Sequence, residues 1–113
     1  MMRVLIGAAL SLIAAGTIAA ERLPSFPKGT TYGNARPSLQ AIGWQPVENK
    51  DRADICSEND DRCRWPEAEY CSGTGVGACL YRWRRGDTVI AIGTRGDDPQ
   101  VVYSIRCEVN CKR

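Results

Sequence analysis

The chain has no histidine, no Cys-x-x-Cys pair, and no strong excess of charge of either sign, with 15 basic against 13 acidic residues among 113. Each absence excludes something. Without imidazole, the usual Ser–His and Cys–His nucleophile pairs cannot be assembled, and the commonest metal ligand is missing. Without Cys-x-x-Cys or histidine there is no zinc-site spacing. The near balance of charge argues against nucleic acid as a partner, because that role calls for a strongly basic face. No DxDxDG calcium loop is present. The one glycine-rich stretch, CSGTGVGAC, is not followed by lysine and leads into a strand pattern, so it fails the context of a phosphate loop. Together these absences predict a protein that is not an enzyme and uses no cofactor or metal.

What is present begins with a targeting signal. Arg3 is the only charge before Glu21, and VLIGAALSLIAAGTIAA runs between them. A basic start, an apolar run and small residues at its end predict a signal peptide over residues 1–20, cut after Ala19 or Ala20. The run is short and alanine-rich for spanning ~30 Å of hydrocarbon, and no cysteine follows it to carry a lipid. Residues 21–113 then form one small domain, periplasmic or secreted, with no membrane insertion after cleavage. Six cysteines, Cys56, Cys63, Cys71, Cys79, Cys107 and Cys111, all follow the signal. An even count in a short exported chain predicts a disulfide framework. Six cysteines allow 15 pairings, among which the sequence does not choose; local closure is easy for Cys71 with Cys79 and for Cys56 with Cys63, and each such loop stabilises by roughly 2–2.5 kcal/mol through loop-closure entropy.

The fold class expected is α+β: an N-terminal helix packed on a three-stranded antiparallel meander, two-layer and disulfide-stapled. Thr30 or Thr31 can cap a helix on which Tyr32, Ala35, Leu39 and Ile42 share a face, and Gly43 suits a left-handed C-terminal cap. Pro37 predicts either a kink there or a loose first turn before it. Residues 48–78 lack periodicity and read as a long loop, with a helical turn at Pro66–Glu69. Then CLYRWR, TVIAIGT and VVYSIRCEV alternate or run β-branched, separated by the turns RRGD and TRGDDP. Both turns are ordinary in composition: Gly-Asp is common turn sequence, so the triplets Arg85–Asp87 and Arg95–Asp97 read as hairpin tips before they read as adhesion motifs.

Alternation puts Tyr81 and Trp83, with Val101, Tyr103 and Ile105, on the side that packs against the helix. Arg82, Arg84 and Arg106 fall on the other side with Leu80 and Val102, and are the candidate binding residues, suited to an acidic partner. The carboxylates Asp60, Asp61, Glu67 and Glu69 lie in an acidic stretch; paired carboxylates can serve glycoside hydrolysis, which makes a small envelope hydrolase the alternative, beside an exported effector or toxin.

The pattern Tyr32-x-x-Ala35-Arg36-x-x-Leu39-x-x-x-Gly43-Trp44-x-Pro46, followed by Cys71-x-Gly73-Thr74-Gly75-x-x-x-Cys79-x-x-x-Trp83, resembles small exported bacterial proteins, most without an assigned function. More remotely, a helix followed by a meander is similar to outer-membrane assembly lipoproteins of the SmpA/OmlA type and to β-lactamase-inhibitor-like domains. That resemblance implies a non-enzymatic module that binds another envelope or extracellular protein. The chain departs from the lipoproteins in having no lipidated cysteine.

Overall fold

A computed structural model describes residues 22–52, 61–72, 75–96 and 99–111. The predicted signal peptide, Cys56 and Asp60 lie outside the described residues. Helix α1 (Tyr32–Ala41) starts where the sequence places it. Thr31 is the N-cap, its hydroxyl accepting the Asn34 N–H at 3.2 Å. The helix runs through Pro37 rather than starting at it. The proline removes one intrahelical donor, and the carbonyl its ring crowds is that of Gly33. At the other end the Trp44 N–H reaches the Leu39 carbonyl and the Gly43 N–H reaches that of Gln40, with Gly43 at φ 95°. This double closure leaves Leu39 buried but turns Ile42 outward, 53% exposed. Ile42 is therefore not part of the packing face; the buried positions are Tyr32, Ala35 and Leu39.

Five strands follow, all antiparallel: β1 (Gln45–Pro46), β2 (Ala68–Cys71), β3 (Cys79–Arg85), β4 (Thr88–Arg95) and β5 (Val101–Val109). The meander β3–β4–β5 occupies the three predicted segments. The sheet is nevertheless five-stranded among the described residues, not three-stranded, because β1 and β2 both pair with β3 on its outer edge. β1 covers Trp83 and Arg84, and β2 covers Cys79 to Tyr81, so the two short strands share that edge end to end. Their brevity and weak composition, QP and AEYC, give no alternation to read. A 3-10 turn at Asp61–Arg64 precedes β2, where the sequence reading placed a helical turn later, at Pro66–Glu69. No helix among the described residues is long and apolar enough to cross a membrane.

The layers divide as the alternation of β3 predicts. Tyr81 and Trp83 of β3 and Ile90 and Ile92 of β4 meet Tyr32, Leu39 and Trp44 in one buried core. β5 departs from prediction. Register shifts between Gly93 and Thr94 and between Val89 and Ile90 insert bulges opposite them. Ser104 pairs with Gly93 but Val102 with Thr94, so Tyr103 is the extra residue. The bulge reverses which side chains face inward. Val102 and Ile105 pack against the core, while Tyr103, expected to be buried, is 62% exposed. Val102 therefore leaves the arginine side to which the alternation assigned it.

Cys71–Cys79 and Cys107–Cys111 are disulfides, and Cys63 is disulfide-bonded to a partner outside the described residues. Cys71 and Cys79 also stand opposite each other in the β2–β3 ladder. The glycine loop between them is thus a staple, and its Val76 carbonyl accepts the Gly96 N–H at 2.8 Å, tying it to the β4–β5 connection. An oxidising compartment is the setting in which such bonds persist.

Candidate binding face

The helix covers one face of the sheet. The other carries the predicted arginines in adjacent rows: Arg82 stands opposite Ala91, which stands opposite Arg106, and Arg84 is opposite Val89. Arg84 and Arg106 are exposed. Arg82 is half-buried and already engaged. Its Nε donates to Glu108 Oε1 at 2.7 Å, and its Nη1 lies 3.5 Å from Glu69 Oε2. Ala91 between the two arginines is fully buried, although it faces away from the helix.

Three further residues belong to this surface that the sequence reading did not place there. Arg95 shares the β4 side of Val89 and Ala91, and its guanidinium lies 3.3 Å from the centre of the Tyr103 ring. Tyr70, opposite Leu80 on β2, is exposed. Arg95 could have been found by extending the alternation of TVIAIGTR by one position. Tyr103 could not, because its outward turn depends on the bulge. The face thus presents Arg82, Arg84, Arg95 and Arg106 against Glu69 and Glu108, with a tyrosine at each flank.

Beneath the sheet, on the helix side, is a second polar constellation. Glu67 is fully buried. Its carboxylate accepts Arg36 Nε at 2.6 Å, Arg36 Nη2 at 3.1 Å and the Tyr32 hydroxyl at 2.6 Å. Trp83 Nε1 in turn donates to the Tyr32 oxygen at 2.9 Å. Arg36 also stacks on Trp65, 4.3 Å from the ring centre. Burial, reinforced by the neighbouring Glu67 charge, pushes the Tyr32 phenol far above its ordinary range. For Arg36, burial alone would lower the pKa, but the hydrogen bond and charge of Glu67 outweigh it and the guanidinium is held more firmly charged than usual. Tyr81 stacks on Tyr32 with ring centres 3.9 Å apart, accepts from Gln100 Nε2 at 2.7 Å and donates to the Arg62 carbonyl at 2.8 Å.

This arrangement engages Glu67 with three protein donors and leaves none of its surface accessible to a substrate, which a working acid or base must reach. Asp61 lines a separate cleft of about 250 Å³ with Arg64, Trp65, Thr31 and Gln100. Glu69 lies on the sheet face with Arg82. The acidic residues Asp61, Glu67 and Glu69 are therefore distributed among three environments. Among the described residues no group of histidine, cysteine, aspartate or glutamate could hold a metal. At the β3–β4 hairpin tip, Arg85 Nη1 donates to the Ile42 carbonyl at 2.9 Å and the guanidinium lies 4.8 Å from the Trp44 ring centre, so the first Arg-Gly-Asp triplet spends its arginine on packing. Comparison with protein-family models, with curated proteins and with solved structures finds no match to this chain.

Proposed function

We propose that the protein is a non-enzymatic binding module of the periplasm or the extracellular space, and that the face bearing Arg82, Arg84, Arg95 and Arg106 receives an acidic surface of another envelope or extracellular protein. The observation that carries this reading is the unequal finish of the two sheet faces. One is filled by the helix and its aromatic core. The other leaves Arg84, Arg106, Tyr70 and Tyr103 exposed on a rigid ladder. Arginine and tyrosine are the residues that anchor protein interfaces, because they carry large contact area with a polar tip and planar hydrogen-bonding geometry. Two face-to-face copies would oppose like charges, so the excess of arginine favours a different, acidic partner. The seclusion of Glu67 supports this reading over a hydrolase built on the acidic stretch.

The test is charge reversal at the two exposed positions. Arg84→Glu with Arg106→Glu is preferred to changes at Arg82, whose ion pairs to Glu108 and Glu69 tie β3 to its neighbours. Affinity capture from an envelope extract, read by mass spectrometry at low and raised salt, should recover a partner with wild type in a salt-sensitive manner and lose it with the double variant. Recovery of the same partner by the double variant at the same salt would refute the arginine face.

A further inference from the structure

The two edges of the sheet are finished differently, and the difference points to a second contact. β3 is covered by β1 and β2. β5 is the last strand on the other side. Its backbone directions follow from one hydrogen bond. The Val47 N–H donates to the Arg82 carbonyl at 3.0 Å, so Arg82 turns its backbone toward β1. In an antiparallel ladder a residue's N–H and C=O point the same way, and the direction alternates. Ala91, opposite Arg82, therefore turns toward β5, and Arg106 turns back toward β4. Ile105 and Cys107 are left turning outward, away from the sheet. The upstream end of β5 agrees: the outward Val102 N–H donates to the Thr30 carbonyl at 2.8 Å, and the Gln100 carbonyl accepts the Tyr32 N–H at 3.0 Å.

Thr30 and Thr31 thus hold the place of a sixth strand for two residues. The turn Pro27–Thr30 then takes the chain out of line. It is closed by the Thr30 N–H on the Pro27 carbonyl at 3.1 Å, with Gly29 at φ 90°. Among the described residues no strand continues beside Ile105 and Cys107. Between the displaced segment and β5 lies a groove of about 660 Å³, whose lining includes Phe26, Pro27, Lys28, Val102, Tyr103 and Ile105.

We propose that this groove, with the outward backbone of Ile105 and Cys107, receives an extended segment of a partner protein that is apolar in its middle and acidic at one end, and that adds to β5 as a strand. The inference rests on the reading of this domain as a binding module but uses a different surface. Three features select the occupant. Outward N–H and C=O groups seek hydrogen bonds that a peptide backbone supplies and a lipid tail does not. The lining is mainly apolar. Lys28 in the groove and Arg95 stacked on Tyr103 make one end basic, so a carboxylate is favoured there. A second copy of this chain fits poorly. A two-fold axis through Arg106 sets arginine against arginine. An axis through Cys107 sets the outward Ile105 against Val109, which pairs with Val89 and turns toward β4.

The probe is a fluorescein-labelled synthetic peptide of alternating valine and threonine ending in two glutamates, followed by anisotropy and by amide chemical shifts of the disulfide-bonded protein. Saturable binding should move the Ile105 and Cys107 amide signals. N-methylation of alternate peptide amides should weaken binding about tenfold or more, since tenfold is the loss of roughly one good hydrogen bond. Ile105→Pro should weaken it similarly, because proline is tolerated where an edge N–H faces solvent, and Lys28→Glu should also weaken it. Arg84→Glu alone, two strands away on β3, should leave peptide binding intact, which separates this site from the arginine face. If Ile105→Pro does not fold, the N-methylated peptide decides. The proposal is overturned by equal binding of the methylated peptide, by displacement with dodecanoate, by no binding, or by amide shifts at these residues that follow protein concentration alone.

Discussion

The helix-side layer and the open face contain the same kinds of residue in opposite states. Each has arginine, glutamate and tyrosine. On the helix side, Arg36, Glu67 and Tyr32 form a sealed unit in which the carboxylate has three donors and the phenol serves both Glu67 and Trp83. On the open face, Arg82 is shared between two glutamates at the surface, and Arg95 lies on an exposed Tyr103. A buried ion pair costs several kcal/mol to break, whereas a surface pair is worth about 0–1 kcal/mol. Identical side-chain chemistry is therefore spent on specifying the fold in one layer and is left available for contact in the other.

That contrast can be attacked from its strongest point downward. Trp83→Ala removes the indole at the centre of the core together with its bond to Tyr32, and should cost about 3–5 kcal/mol, enough to unfold a domain of this size. A melting temperature within a few degrees of wild type would show that the helix-side layer is not the structural one. Glu67→Ala, which strands Arg36 and the Tyr32 hydroxyl, should cost about 3 kcal/mol in urea titration, while Glu69→Ala on the open face should cost less than about 1 kcal/mol. Equal losses at the two glutamates would erase the distinction. Tyr32→Phe keeps the ring stacked on Tyr81 but withdraws the hydroxyl, and should destabilise by about 1–3 kcal/mol. Replacement of the exposed pair, Arg84→Glu with Arg106→Glu, should change stability by no more than about 0.5 kcal/mol by the same titration, so that any loss of partner capture reports on contact rather than folding.

The parts legible in the sequence were those with a period. Thr31, Leu39 and Gly43 marked the helix ends and face, and the alternation of β3 separated Tyr81 and Trp83 from Arg82 and Arg84. What escaped had no local signal. β1 and β2 are too short to show alternation and exist because β3 offers them an edge. The inward turn of Val102 and outward turn of Tyr103 come from a bulge set by how β5 registers on β4, where a Cβ at Gly93 would lie 2.5 Å from Ser104 Oγ. The burial of Glu67 was hidden because its partner Arg36 lies 31 residues away. Charge pairing across that separation is a property of the folded layers, not of either stretch.

The end-to-end coverage of β3 by β1 and β2 has a consequence for assembly. A sheet with two live edges can copy itself indefinitely, each added strand presenting the next template, and this is how fibrils grow. Here one margin is made of two short strands, of 2 and 4 residues, and the other is interrupted by two bulges. Such a molecule is a poor template for edge-to-edge polymerisation of its own copies.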